Sequence, residues 1–203
     1  MIHSQAIDVS FTDGVAEYLD HLKDVIDKID QDEINNVMHR LLGAYGRQAS
    51  VYIFGNGGSA STASHFVNDF NKGVSAGLLK GFRFYCLNDN VATLMAVAND
   101  ISYDQIFALQ LKNYLNDGDL VIAISGSGNS PNVLEAVAYA QARGIETIGL
   151  VGYSGGSLKD MVDHCVHIPV DDMQKVEDLH LVVNHIMMAL FKEHLDGGSP
   201  CQD

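Results

Sequence analysis

Val51-Tyr52-Ile53-Phe54-Gly55-Asn56-Gly57-Gly58-Ser59 joins a short run of β-branched and aromatic residues to a loop of glycines, asparagine and serine. Four such apolar residues bounded by turn chemistry read as a buried strand, and Ala60 to about Asn71 reads as the helix that follows. Glycines let the loop turn tightly and bring the backbone against a ligand, and Ser59 can cap the helix and offer its hydroxyl. The same strand, glycine- or serine-rich break and helical stretch recur around 82–87, 119–124, 147–151 and 164–169. Strands alternating with helices imply parallel βαβ units with right-handed crossovers. The expected fold is therefore α/β, a three-layer sandwich on a five-stranded parallel, flavodoxin-like sheet. In such sheets ligands bind beyond the carboxyl ends of the strands, where these loops fall.

Upstream, Val15, Leu19, Leu22, Val25, Ile26 and Ile29, then Ile34, Val37, Leu41 and Leu42, recur at helical spacing. Residues 1–49 are read as an N-terminal helical arm of the same domain, covering the core or serving oligomer contacts. Residues 50–196 are read as the main body and 197–203 as a frayed tail. A chain of 203 residues with 47% hydrophobic content can bury one core, and no linker composition divides it. The net charge of -14 argues against a nucleic-acid or anionic membrane surface, yet leaves room for one phosphate on local backbone donors. Three cysteines, Cys86, Cys165 and Cys201, show no paired spacing and suit a reducing compartment. Met1 to Gln5 lacks a basic region followed by an apolar run, and no segment reaches the ~18 apolar residues of a membrane span. A cytoplasmic protein without membrane or nucleic-acid partners is expected.

Gly55, Gly57 and Ala60 also satisfy the dinucleotide pattern G-x-G-x-x-[GA], with Asp89 as a ribose ligand, so an oxidoreductase is one reading of the first loop. The second loop points elsewhere. Strand 119–124 runs into Ser125-Gly126-Ser127-Gly128-Asn129-Ser130, and Pro131 suits the first turn of the next helix. Hydroxyls, N–H groups and a helix N-terminus on one turn form an anion site. Two such loops on a small sheet suit a compact ligand with one phosphate and several hydroxyls.

His65 and Asp69 are four residues apart and share a helix face, where they can hold a metal or simply a surface hydrogen bond. On a late helix from about Met173 to Leu195, Glu177, Leu181 and His185 fall on one face at four-residue steps. Polar groups in so apolar a helix need hydrogen bonds or coordination. His180 faces elsewhere and reads as structural or as a subunit contact. His164 and His167 alternate on the last strand and read as a surface face.

The G-N-G-G-S loop followed by His65-Phe66, the loop Ser125 to Ser130, and the late helix with Glu177, His180 and His185 resemble sugar isomerase (SIS) domain proteins. Within that group the chain is most similar to the phosphoheptose isomerases. The resemblance implies conversion of sedoheptulose 7-phosphate to D-glycero-D-manno-heptose 7-phosphate, feeding heptose for lipopolysaccharide or another surface glycan. It implies substrate contacts at Asn56, Gly57, Gly58, Ser59, Asp100, Ser125, Gly126, Ser127 and Ser130, with Asn99-Asp100 matching a family pair near the sugar hydroxyls. It implies a zinc or other divalent ion at His65, Asp69, Glu177 and His185, with Asp69 and His185 catalytic, and a homotetramer with sites between subunits. Two positions depart from the family pattern: Asp69 stands where the family carries a glutamate, one methylene longer, and Glu177 where it carries glutamine. Those departures leave open an isomerase of another sugar phosphate. Some relatives of this fold are regulatory modules that bind a replication initiator, and the histidines and carboxylates at the isomerase positions argue against that role.

Overall fold

The computed structural model describes residues 10–195. The tail read over 197–203, Cys201 and the first five residues lie outside them. Five parallel strands, β1 (Val51–Gly55), β2 (Phe84–Cys86), β3 (Leu120–Ser125), β4 (Glu146–Val151) and β5 (His164–His167), pair in the order β2-β1-β3-β4-β5. Alternation of side chains across the pleat divides the interior into two cores. Val51 and Ile53 of β1 and Leu120, Ile122 and Ile124 of β3 point to one face; Tyr52, Phe54, Val121 and Ala123 point to the other.

The first face is covered by α2 (Gln31–Gly46), α3 (Gly58–Asn68) and α8 (Met173–Leu195), with Val25 at the end of α1 (Thr12–Ile26). The second is covered by α4 (Val91–Asp100), α5 (Ala108–Tyr114), α6 (Pro131–Ala142) and α7 (Gly156–Met161). This is the expected three-layer α/β sandwich. Among the described residues no helix is long and apolar enough to cross a membrane.

The strand read over 82–87 shortens to Phe84–Cys86, and three other boundaries differ from the sequence reading for local reasons. The last strand ends at His167 rather than 169: the Ile168 N–H still reaches the Val151 carbonyl at 2.9 Å, but Pro169 has no N–H to continue. The helix after the first loop begins at Gly58, with Gly57 at φ +55 in the cap position, so Ser59 sits inside the first turn instead of capping it. That helix also changes character at Asp69, where residues Asp69–Val74 form a π-helical turn. Asn71 on this turn donates to the Phe84 carbonyl at 2.8 Å and accepts from the Phe84 N–H at 2.9 Å, covering the free edge of β2.

The arm is only half covered. On α1 Val25 is buried, whereas Phe11 at its start and Val15, Leu19 and Ile26 are exposed, as are Val182, Ile186 and Leu190 on α8.

Candidate active site

The order of the sheet reverses between β1 and β3, so their carboxyl ends open a crevice at the switch point. Register sets Gly55 against Ile124, and the two loops leave the sheet side by side. Asn88 clamps the first loop by accepting from the Gly55 N–H at 3.2 Å and donating to its carbonyl at 2.9 Å. Asn56 and Asn132 exchange two amide hydrogen bonds of 2.8 and 2.9 Å, tying the first loop to the start of α6, and the Tyr103 hydroxyl donates to Asn56 Oδ1 at 3.0 Å.

The glycines are there for close approach. A Cβ on Gly126 would lie 2.6 Å from Met173 Sδ, and one on Gly128, at φ +66, would lie 1.8 Å from the Gly155 carbonyl oxygen. Asn56, Gly57, Gly58, Ser59, Ser125, Gly126, Ser127 and Ser130 line one cavity of about 220 Å³ with Met173 and Glu177. That volume lies below the roughly 300 to 1,000 Å³ of pockets for larger organic ligands, and it suits a compact ligand better than a dinucleotide. Ser130 stands at the N-cap of α6 without spending its hydroxyl on a cap bond; its Oγ lies 3.2 Å from that of Ser125.

Asp100 is not brought to this cavity. Helix α4 runs through Asn99 and ends at Asp100, whose exposed carboxylate accepts from the Asn99 amide at 2.7 Å. Glu177 is separated from its expected fellow ligands. Its carboxylate lies on the Cα of Gly58, where an added Cβ would fall 2.3 Å from the carboxyl carbon and from both oxygens.

The other three come together further along α3 and α8. His65 Nε2 lies 3.2 Å from Asp69 Oδ2, His185 Nε2 lies 3.6 Å from the same oxygen, and the two imidazole nitrogens are 3.0 Å apart. Ligands bound to one tetrahedral zinc at about 2.0 to 2.1 Å stand about 3.4 Å from one another, so these spacings fit a shared cation. Asp69 is only 6% exposed, while the histidine side chains are 41% and 51% exposed, which leaves the group open on one side. Asn184, fully buried, donates to Asp69 Oδ2 at 2.7 Å, the kind of partner that orients a coordinating carboxylate.

His180 behaves as a structural residue. It is fully buried, its Nε2–H donates to the Val151 carbonyl at 3.2 Å, and burial, with a smaller contribution from His167, pushes its pKa down to about 4. His167 is likewise engaged, its Nε2–H donating to the Tyr153 carbonyl at 2.7 Å and its Nδ1 accepting from Lys159 at 3.0 Å. Asn88, Tyr103, Asn132 and Asn184 carry no functional reading from sequence, and Met173 only marks the start of a helix. Asn184 carried a weak signal, a polar residue four positions after His180 on an apolar helix; the others depend on contacts between distant loops.

Comparison with known proteins agrees with this geometry. Residues 17–152 match the SIS domain family model. The chain is 34% identical over 181 residues to a phosphoheptose isomerase of Helicobacter pylori strain P12, covering 88% of this chain and 93% of the relative. It is 37% identical over 150 residues to that of Thiobacillus denitrificans, covering 72% of this chain and 76% of the relative. The solved phosphoheptose isomerase of Neisseria gonorrhoeae superposes with a TM-score of 0.84 at 25% identity, covering 91% of this chain and all of that one. With both loops, the switch-point cavity and the relatives in agreement, the chain belongs to the phosphoheptose isomerase family of SIS domain proteins.

Proposed function

We propose that this protein is a phosphosugar aldose-ketose isomerase that converts sedoheptulose 7-phosphate to D-glycero-D-manno-heptose 7-phosphate for heptose and surface-glycan synthesis. The observation that carries the reading is one path: α3 and α8 both run from the two-loop cavity to the His65, Asp69 and His185 group. From Ser59 to His65 the rise along α3 is about 9 Å, close to the reach of an extended seven-carbon sugar phosphate. Phosphate held at the serine loops then leaves the carbonyl end at the histidines.

There Asp69 removes the proton beside the carbonyl and returns it to the former carbonyl carbon, while His185 protonates the carbonyl oxygen and then takes up the proton of the neighbouring hydroxyl, which becomes the new carbonyl. His65, Asp69 and His185 would hold a divalent cation such as zinc, which when bound stabilises negative charge on the sugar oxygens. The exposed stripe Val182, Ile186 and Leu190 on α8 borders His185, which supports a homotetramer with the sites between subunits. The chemistry suits the cytoplasm, where sugar phosphates are kept. The free thiols of Cys86 and Cys165, pushed up to about 12 by burial, suit it too.

The test is conversion of sedoheptulose 7-phosphate with zinc supplied, followed by detection of the heptose product. Wild type should turn over, and Asp69→Asn and His185→Gln should each lose 10² to 10⁴-fold in kcat. No product from zinc-loaded wild type overturns the substrate assignment.

A further inference from the structure

The two oxygens of Asp69 are engaged very differently. Oδ2 faces the nitrogens of His65 and His185 at 3.2 and 3.6 Å and accepts from Asn184 Nδ2 at 2.7 Å. Oδ1 receives only the amide of the adjacent Asn68, at 3.3 Å, among the described residues. The donor that sets this asymmetry, Asn184, is fully buried on α8.

The Asn184 amide can face Asp69 in one sense only, because turned over it would set its own oxygen against a carboxylate. Its Oδ1 therefore lies on the far branch of the amide, buried and with no donor among the described residues. One turn earlier on α8, fully buried His180 donates through Nε2 to the Val151 carbonyl at 3.2 Å. That bond leaves a lone pair on His180 Nδ1, which is buried and without a donor in the same way. Two acceptors cannot satisfy each other, and burying both unpaired is costly. A water carries two hydrogens and fits the need. Cβ atoms four residues apart on a helix stand about 5 to 6 Å from one another, and one water with bonds of about 2.8 Å to two acceptors bridges about 4.5 Å.

We infer that one buried water donates to both His180 Nδ1 and Asn184 Oδ1, and that the chain from the Val151 carbonyl through His180, this water and Asn184 fixes the Asp69 carboxylate. Asn184 is thereby a positioning residue. It holds Oδ2 toward the histidines and leaves Oδ1 to take the proton beside the carbonyl and return it to the former carbonyl carbon. Only this proton step rests on the isomerase reading above; the chain itself rests on donors and acceptors.

High-resolution diffraction from wild-type crystals should show a water within hydrogen-bonding distance of both His180 Nδ1 and Asn184 Oδ1. Asn184→Leu fills the space without a donor, so Asp69 Oδ2 should turn away from its 3.2 Å approach to His65. Zinc affinity, measured by competition with a chelator, should fall at least tenfold in this variant, and kcat on sedoheptulose 7-phosphate at least tenfold with KM within twofold of wild type. Asn184→Ala makes room for a second water that can donate to Asp69 in place of the amide, so its zinc affinity and kcat should fall by about two- to fivefold. A packing role alone predicts the reverse order, since alanine leaves the larger cavity. Clear wild-type density with no water at that place overturns the inference, as does zinc affinity in Asn184→Leu within twofold of wild type or a larger loss in alanine than in leucine. Should the leucine variant not fold, the wild-type density and the alanine variant decide, and zinc affinity in Asn184→Ala equal to that of wild type then counts against the chain. Absence of isomerisation by wild type would sink the substrate and the proton step, and leave the density and the zinc titrations as tests of the chain.

Discussion

A single buried imidazole links the site's scaffold to pH. His180 sits between α8 and the carboxyl end of β4 as a neutral donor to Val151, with its pKa pushed down from 6.5 to about 4, chiefly by burial. Between those values the unfolded chain binds a proton that the folded one refuses, so stability rises with pH through this window. The stabilisation is fully present above pH 6.5 and is lost as pH falls toward 4. A shift of this size corresponds to about 3 kcal/mol, the extent of the expected loss. Urea melts at pH 7 and pH 5 should show wild type losing about 2 kcal/mol of this, and His180→Gln, which keeps a donor without titrating, should show a flatter dependence. An equal slope in the two proteins would refute the assignment. Sequence foretold that His180 faces away from the site, because its helical angle differs from that of Glu177 and His185. Equal helical phase was also what made Glu177 and His185 look like partners. The fold parts them, since eight residues of α8 span about 12 Å and the two side chains meet different parts of α3. Asp100 was legible as an Asn-Asp pair, yet whether that pair ended the helix or left it depended on packing of α4 that no local pattern encodes.

Strands and loops were the most legible elements, since short β-branched runs ending in glycine and serine have few other readings. The π-helical turn at Asp69–Val74 was not legible, because its backbone is selected by distant partners. Ser75 Oγ donates to the Phe70 carbonyl at 2.7 Å and accepts from the Phe82 N–H at 2.8 Å, while Asn71 pairs with both backbone groups of Phe84. Widening the helix here seats Asn71 along the outer edge of β2 immediately after Asp69 has reached the histidines, so edge protection and site geometry are joined in one turn. Asn71→Ala should therefore destabilise the protein by about 1 to 2 kcal/mol, the loss of two side-chain hydrogen bonds that water partly replaces. Chemical denaturation reads the loss, and the midpoint rather than the slope should move. Asn71→Asp, which keeps the acceptor for the Phe84 N–H but sets a carboxylate against its carbonyl, should be at least as damaging. A loss below 0.3 kcal/mol in the alanine variant would show that the clamp adds nothing to the edge.

At the scale of the whole molecule two tendencies oppose each other. The net charge of -14 makes copies of this chain repel, whereas Phe11, Val15, Leu19 and Ile26 along α1 and Val182, Ile186 and Leu190 on α8 leave large apolar side chains in water. The stripe of α1 was visible in the sequence as helical spacing, but periodicity reports only that a face is apolar, and cannot say whether the same chain or another covers it. Here only Val25 of α1 is buried, so most of that face has no intrachain partner among the described residues. Burying a leucine- or isoleucine-sized side chain stabilises by about 1.5 to 3 kcal/mol. Repulsion between exposed charges is screened over about 8 Å at physiological salt, so apolar burial should win there and weaken its hold at low ionic strength. Light scattering at 0.15 M salt should give about four times the 22.0 kDa chain mass, with a lower mass at 10 mM salt. Ile186→Glu adds charge to the stripe one residue after the exposed His185 and should lower the scattering mass and the turnover together. A wild-type monomer with full activity at 0.15 M salt would show that the exposed face serves something other than self-association.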